Sequence, residues 1–347
     1  MLRPIANPPS RFDAHSVALE IPADLAKLTV FEDDSKSILA RNESPDLWHR
    51  WSLNPYRGCM HACAYCYARP THEYLGFGAG TDHDTKILVK PRAAALLRAQ
   101  FDHPSWVGET LLFSGNTDCY QALEHRWRLT RACLAVCLEY RNPVVIITKS
   151  ALVERDVDLL QGLARDASIR VVFSIPFWDP ATARAIEPGT PSPQRRVEAM
   201  RALHHAGVPV SVNVAPVIPG LNDRDIPAIV AACAAAGATA AAMILVRLPG
   251  PVEQVFADQL RATLPTRAEG VLARLRRARG GALNDPRFGN RMTGDGEEWA
   301  ATKRLFQVSC RKHGVRAHDS DSMSRDVQQG ESSFRRPGAG VQVKLFG

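Results

Sequence analysis

The 347-residue sequence has no run of about 18 apolar residues, so no segment is suited to cross a membrane as a helix. The nearest approach, the alanine-rich stretch 226–246, is interrupted by Gly237 and reads as a buried helix, a turn and a strand. Cysteine is scarce: 8 in 347 residues are too few for a disulfide-stapled secreted scaffold. The N-terminus, Met-Leu-Arg-Pro, lacks the continuous apolar stretch of a secretory signal, and the thiols are expected to stay reduced in the cytoplasm. No internal repeat is present. Hydrophobic residues at 45% and charged residues at 23% are ordinary for a soluble globular chain, of one large domain or two smaller ones.

The formal charge of +7 is unevenly placed. Residues 261–316 contain 13 Lys plus Arg against 5 Asp plus Glu, which leaves the remainder of the chain one charge negative. A localised basic field attracts polyanions in a salt-dependent way, while a basic helix is more often a solvated face.

Three of the cysteines share one short run, Asn54-Pro-Tyr-Arg-Gly-Cys-Met-His-Ala-Cys-Ala-Tyr-Cys-Tyr67. The C-x3-C-x2-C spacing of Cys59, Cys63 and Cys66 offers three thiolates, enough for three corners of a cubane iron–sulfur cluster that normally takes four. A fourth iron without a protein thiolate is an open coordination position, where metals do chemistry. The alternative is zinc. It would want a second ligand pair about 12 to 20 residues downstream, and His61, His72 and His83 are nearby without forming one.

Apolar periodicity gives strands at 51–56, 110–113, 143–148, 170–175, 208–215 and 240–246, several of them β-branched throughout and suited to a parallel sheet buried on both faces. Helical patterns at 91–101, 119–140, 151–166, 193–206 and 223–236 alternate with them, and Ser192 before Pro193 is a good N-cap. The result is an α/β chain with a (β/α)6 partial TIM barrel, whose active site lies at the C-terminal strand ends. We divide the chain into an N-terminal arm (1–45), the barrel core (46–250), a basic helical extension (251–316, with helices at 252–264, 267–279 and 296–313) and a flexible C-terminal tail (317–347).

Polar residues recur just past successive strands: Asn116 and Thr117 after the second, Lys149 after the third, Ser174 at the end of the fourth, Asn213 in the fifth. Lys149 suits a carboxylate, and Arg196, in the first turn of a helix, suits an anionic group held bidentately.

The cysteine loop, with Tyr65 before its last ligand, resembles the cluster motif of the radical S-adenosylmethionine (radical SAM) enzymes. Ser52-Leu-Asn-Pro-Tyr-Arg-Gly-Cys, Tyr65-Cys-Tyr-Ala-Arg-Pro-Thr-His, Asn116-Thr-Asp-Cys-Tyr-Gln121, Ile147-Thr-Lys-Ser150 and 187–196 resemble more narrowly an uncharacterised bacterial branch related to spore photoproduct lyase. The resemblance covers roughly residues 45–315. It implies a [4Fe-4S] cluster on Cys59, Cys63 and Cys66 and S-adenosylmethionine on the open iron. Reductive cleavage would then give a 5′-deoxyadenosyl radical that abstracts hydrogen from a substrate. It further implies cofactor contacts from Asn116, Thr117, Lys149 and Ser174, a place for Tyr67 near the radical path, and an electron donor of flavodoxin or ferredoxin type; Tyr65 and Arg196 are candidate cofactor contacts beside them. One departure matters: the lyase carries a hydrogen-donating cysteine where this chain has Gly115, so repair of thymine dimers does not carry over. Cys119, Cys133, Cys137, Cys233 and Cys310 read as packing residues.

The chain ends Gln342-Val-Lys-Leu-Phe346, which is similar to the peptides that dock replication and repair proteins onto the sliding clamp, with Leu345 and Phe346 filling an apolar pocket. With the basic extension this makes DNA or RNA the leading substrate expectation. The alternatives are a radical SAM enzyme acting on a peptide or small molecule, and a non-catalytic iron–sulfur adaptor.

Overall fold

Strands that are apolar on both faces need cover on both, which helices wrapped around a parallel sheet provide. The computed structural model, which describes residues 27–47, 49–318 and 332–337, has this arrangement. In chain order its strands are β1 (Thr29–Glu32), β2 (Leu39–Arg41), β3 (Trp51–Leu53), β4 (Tyr56–Arg57), β5 (Lys86–Val89), β6 (Leu111–Phe113), β7 (Val144–Thr148), β8 (Ile169–Ser174), β9 (Val210–Val217), β10 (Ala240–Leu245) and β11 (Arg316–His318). β3, β6, β7, β8, β9 and β10 pair in parallel in that order, and the helices Ala93–Asp102, Leu129–Glu139, Val157–Asp166, Pro193–His205 and Ile226–Ala235 fill the crossovers. This is the expected partial barrel. Ser192 caps its helix as read, its Oγ accepting from the Arg195 N–H at 3.2 Å.

Alternation along the strands separates two cores. Leu111, Phe113, Val144, Ile146, Val171 and Phe173 face the helical layer in the main core. Leu112, Val145 and Val172 form a small inner cluster against Ile147. By the same period of two, and by the Ser174–Asn213 pairing, both of these polar residues lie on the inner face beyond that cluster, toward the C-terminal mouth.

Several elements differ from the sequence reading. The segment 119–140 is two helices, Glu124–Trp127 and Leu129–Glu139, hinged at Arg128 with φ of 52°. The cause is the buried Glu124, whose carboxylate accepts from the N–H groups of Thr130 (3.0 Å) and Arg131 (3.2 Å) and so caps the second helix. The arm contains strands: β1 and β4 flank β5 in a small separate sheet, and β2 adds antiparallel to β3. The extension forms the helices Val252–Thr263, Pro265–Ala278 and Gly296–Lys312, then returns as β11, parallel to β10.

At least seven of the extension's thirteen basic side chains are engaged within the fold. Arg261 meets Glu269, Arg274 and Arg277 share Glu298, Arg287 meets Asp285, Arg291 meets Asp46, and Arg267 and Arg279 donate to carbonyls. An open basic face is therefore much smaller than the charge count implies.

Within the segment read as a flexible tail, residues 332–337 are held against the helical layer. Phe334 packs 5.7 Å from the Phe101 ring and 6.1 Å from that of Tyr140, and Arg336 donates to the Phe101 carbonyl at 3.1 Å. The peptide containing Gln342, Leu345 and Phe346 lies outside the described residues, as do residues 1–26 and 319–331. Among the described residues no helix is long and apolar enough to cross a membrane.

Candidate active site

The cysteine bend follows β3 at its C-terminal end, and its shape begins with Gly58. That residue has φ of +79°, and a Cβ there would lie 2.8 Å from both the His72 ring and the His83 carbonyl. The bend is then held from three directions. Arg69, fully buried, donates from Nε (3.1 Å) and Nη2 (2.9 Å) to the Cys63 carbonyl, reaches Ala79 and Gly80 through Nη1, and pairs with Asp84 at 3.0 Å. Thr117 and Gln121 both donate to the Gly58 carbonyl, at 2.6 and 3.0 Å, and Gln121 Oε1 accepts from the Met60 N–H. The end of the helix Pro180–Ile186 accepts the Ala64 N–H at the Ile186 carbonyl (2.9 Å), and the loop after it gives the Gly189 N–H to the His61 carbonyl (3.1 Å).

All eight cysteines are free. Cys59 and Cys63 are buried and Cys66 half-buried, so the three thiols face little water. Burial pushes the Cys63 and Cys66 thiols up, Cys66 to about 11. Burial opposes ionisation of Cys59 too, but the adjacent His61 outweighs it and brings that thiol below its ordinary value. Soft sulfur donors in a dry bend suit iron and sulfide, and bound metal holds such thiols as thiolates. Among the described residues no three His, Cys, Asp or Glu side chains are placed to hold a single metal ion. A cubane asks for less convergence, because each thiolate meets its own iron. Of the histidines weighed for zinc, His72 meets the Lys86 carbonyl at 2.9 Å and His83 meets Asp84 at 3.1 Å, while His61 lies between Asp118, at 3.4 Å, and the Cys59 thiol.

The expected strand-end residues divide into two groups. Lys149 lies 5.7 Å over the Tyr65 ring, Asn116 is exposed at the end of β6, and Ser174 and Asn213 sit on the inner face. Asn213 Oδ1 is buried and has no hydrogen-bond partner among the described residues, an acceptor waiting for a donor. Tyr67 is half-exposed, donates its hydroxyl to the Gly115 carbonyl at 2.6 Å, and carries the Arg247 guanidinium 5.4 Å from its ring centre.

Two residues do something other than expected. Thr117 is buried, with its hydroxyl committed to the Gly58 carbonyl, so it shapes the bend. Arg196, expected as an anion clamp, is fully buried; it donates to the Ser174 (2.9 Å) and Pro191 (3.0 Å) carbonyls and pairs with Glu187 at 2.6 Å. Glu187 also accepts the Tyr65 hydroxyl, so Arg196 acts on the site by fixing Glu187 and, through it, Tyr65.

The Radical SAM superfamily profile matches residues 53–233, just over half of the chain and inclusive of the bend and strands β6 to β9. The chain belongs to the radical SAM superfamily. The cofactors of this superfamily are an iron–sulfur cluster and S-adenosylmethionine, and its enzymes generally take an electron from outside to cleave the latter. An uncharacterized protein of Mycobacterium tuberculosis is 41% identical over 209 residues, 60% of this chain and 62% of that one. An uncharacterized protein of Methanocaldococcus jannaschii is 30% identical over 174 residues, 50% of this chain and 62% of that one. The chain thus spans about three-fifths of the length of these curated relatives. Among solved structures, spore photoproduct lyase complexed with dinucleoside spore photoproduct has a TM-score of 0.61 at 16% identity, covering 90% of this chain and 88% of that one. A lyase mutant with bound AdoMet and the same dinucleoside has a TM-score of 0.59 at 16% identity, covering 84% and 81%. These likenesses establish the fold.

The radical SAM reading also sorts the residues that the sequence did not single out for a role. Arg69, Gln121 and Glu187 are buried polar groups whose hydrogen bonds hold the cysteine bend and Tyr65. Arg69, a charge three places after the last clustered cysteine, was the legible signal; the partners of Gln121 and Glu187 lie about 60 and 120 residues away in sequence.

Proposed function

We propose that Cys59, Cys63 and Cys66 hold the [4Fe-4S] cluster, that Tyr65, Asn116, Lys149, Ser174 and Asn213 line the S-adenosylmethionine site, and that the substrate is a nucleic-acid base. The bound cofactors supply one-electron cleavage of the sulfonium to methionine and a hydrogen-abstracting 5′-deoxyadenosyl radical. The chain's own groups position and shield. Lys149 offers a cation to the methionine carboxylate, the unpaired Asn213 Oδ1 accepts from a cofactor donor, and Tyr67, directly after Cys66 and tied by its hydroxyl to the Gly115 carbonyl, lies close to the radical. A flavodoxin or ferredoxin of the reducing cytoplasm suits the electron supply.

The observation that carries the reading is the triply braced bend with three buried or half-buried thiols and no fourth cysteine in it. The nucleic-acid part is supported by the lyase neighbour, whose structure is complexed with a dinucleoside, and by the cationic rim described below. Because Gly115 stands at the hydrogen-donor position of that lyase, the outcome is expected to differ from thymine-dimer reversal.

After anaerobic reconstitution with iron and sulfide, dithionite and S-adenosylmethionine should yield 5′-deoxyadenosine, and Cys63→Ala should reduce it to the level without enzyme. With oligonucleotides deuterated on the bases, deuterium should enter the 5′-deoxyadenosine. Protein that binds zinc in place of iron and makes no 5′-deoxyadenosine would refute the radical reading; label transfer from peptides alone would refute the nucleic-acid part.

A further inference from the structure

Three guanidiniums gather where β10 ends. Arg279 is fixed by the carbonyls of Val246 (2.8 Å), Arg291 (2.9 Å) and Asn290 (3.0 Å), with its buried Nε unpartnered among the described residues. Arg291 is held by Asp46 at 2.5 Å and by Ser44. Arg247 is different. It is half-buried, and among the described residues its guanidinium meets the Tyr67 ring and no carboxylate within ion-pair distance. Asp46, which attracts it, is already taken by Arg291, whose like charge repels it. Burial and that repulsion both pull the Arg247 pKa down. A half-buried cation beside two others is unfavourable unless an anion completes the group.

Position decides which anion. Tyr67 directly follows Cys66, so whatever Arg247 binds is carried next to the cysteine bend. In the proposed cofactor site the carboxylate of S-adenosylmethionine falls to Lys149, 5.7 Å over the Tyr65 ring, which leaves Arg247 for the substrate. A half-exposed aromatic ring beside an uncompensated guanidinium also combines the two contacts that hold single strands: a stacking surface and a phosphate-binding cation.

We propose that Arg247, stacked on Tyr67 at the rim of the barrel, anchors a phosphodiester of a single-stranded nucleic-acid substrate. This rests on the radical SAM reading above and names its substrate contact.

The test is fluorescence anisotropy of a labelled single-stranded oligonucleotide with cluster-loaded protein, across salt concentrations. Arg247→Gln should weaken binding by at least about fivefold and flatten the slope of log affinity against log salt by about 0.7, the value for one lost contact to a single strand. Arg247→Lys should keep the salt slope while losing part of the affinity, because the charge remains and the planar stack does not. Wild-type affinity and slope in Arg247→Gln would overturn the proposal. So would wild-type protein that ignores oligonucleotides and is protected from unfolding by simple carboxylates. If Arg247→Gln unfolds, Arg247→Lys decides: reduced affinity at an unchanged salt slope supports the proposal, and wild-type affinity at the wild-type slope overturns it. Formation of 5′-deoxyadenosine by the wild type reports on the radical chemistry separately, so either conclusion can fail alone.

Discussion

His72 lies fully buried behind the cysteine bend, giving its Nε2 proton to the Lys86 carbonyl, with the His83 ring 5.0 Å away and Nδ1 unpartnered among the described residues. Burial, assisted by His83, lowers its pKa from the usual 6.5 to about 4. The unfolded chain takes up a proton near pH 6.5 and the folded one only near pH 4, so between these values the unfolded state holds more protons. Stability therefore falls as pH drops through this window, by up to about 3 kcal/mol from His72 alone. In anaerobic urea unfolding at pH 7 and pH 5, His72→Gln should lose about 2 kcal/mol less than wild type over the same interval. Equal losses would mean that His72 does not titrate this way. At this scale the sequence was legible for the gathering of Cys59, Cys63 and Cys66 in one bend, because their close spacing alone brings them together. It was not legible for Arg196 and Thr117, because a charge or hydroxyl can serve a ligand or a neighbour. Which it serves here is set by Glu187 and by the Gly58 carbonyl, brought close only by folding.

Elements show the same division. The six central strands were readable because burial on both faces demands continuous β-branched runs, such as Val-Val-Ile-Ile-Thr in β7. β11 was not: Arg-Ala-His has no apolar pattern, and the strand exists because backbone pairing with β10 is available after the helix Gly296–Lys312 returns the chain to the sheet edge. The loop between the helices Pro180–Ile186 and Pro193–His205 gives a testable case. At Gly189 a Cβ would stand 2.1 Å from the Met60 carbonyl oxygen, so the loop lies flush against the cysteine bend. Gly189→Ala should force the two backbones apart, costing roughly 2 kcal/mol or more, and lower the iron retained per chain after reconstitution. Gly270→Ala is the control. Its Cβ would meet nothing within 4 Å on the helix Pro265–Ala278, and it should stabilise by about 0.5–1 kcal/mol with iron unchanged. Full iron loading in Gly189→Ala would show that the loop does not brace the bend.

At the scale of the whole molecule, an open barrel leaves its first and last strands without each other as partners, and something must connect the two rims. Here the connection is electrostatic. Asp46, between β2 and β3, accepts the Gly289 N–H at 2.8 Å and pairs with Arg291 at 2.5 Å, and both partners belong to the segment that follows the helix Pro265–Ala278. The Asp46 and Arg291 side chains are only 9% and 14% exposed, so little solvent screens them. Nothing in the sequence between the helices at 267–279 and 296–313 signals this contact, since an ion pair 245 positions apart leaves no local trace. Asp46→Asn keeps the volume and removes the charge. It should cost about 3 kcal/mol, as expected when one partner of a poorly hydrated pair is lost, and speed hydrogen exchange in residues 39–53 and 285–292. The same substitution bears on the rim. Asp46 attracts Arg247 as well as Arg291, so removing it raises the positive potential where a phosphodiester is proposed to sit. Under conditions where the variant remains folded, it should therefore bind single-stranded oligonucleotide more tightly than wild type, with the difference shrinking as salt rises. Looser binding at every salt concentration would mean that the two rims must be tied together before Arg247 and Tyr67 can form a site, and the closure would then be a condition of substrate binding as well as of stability.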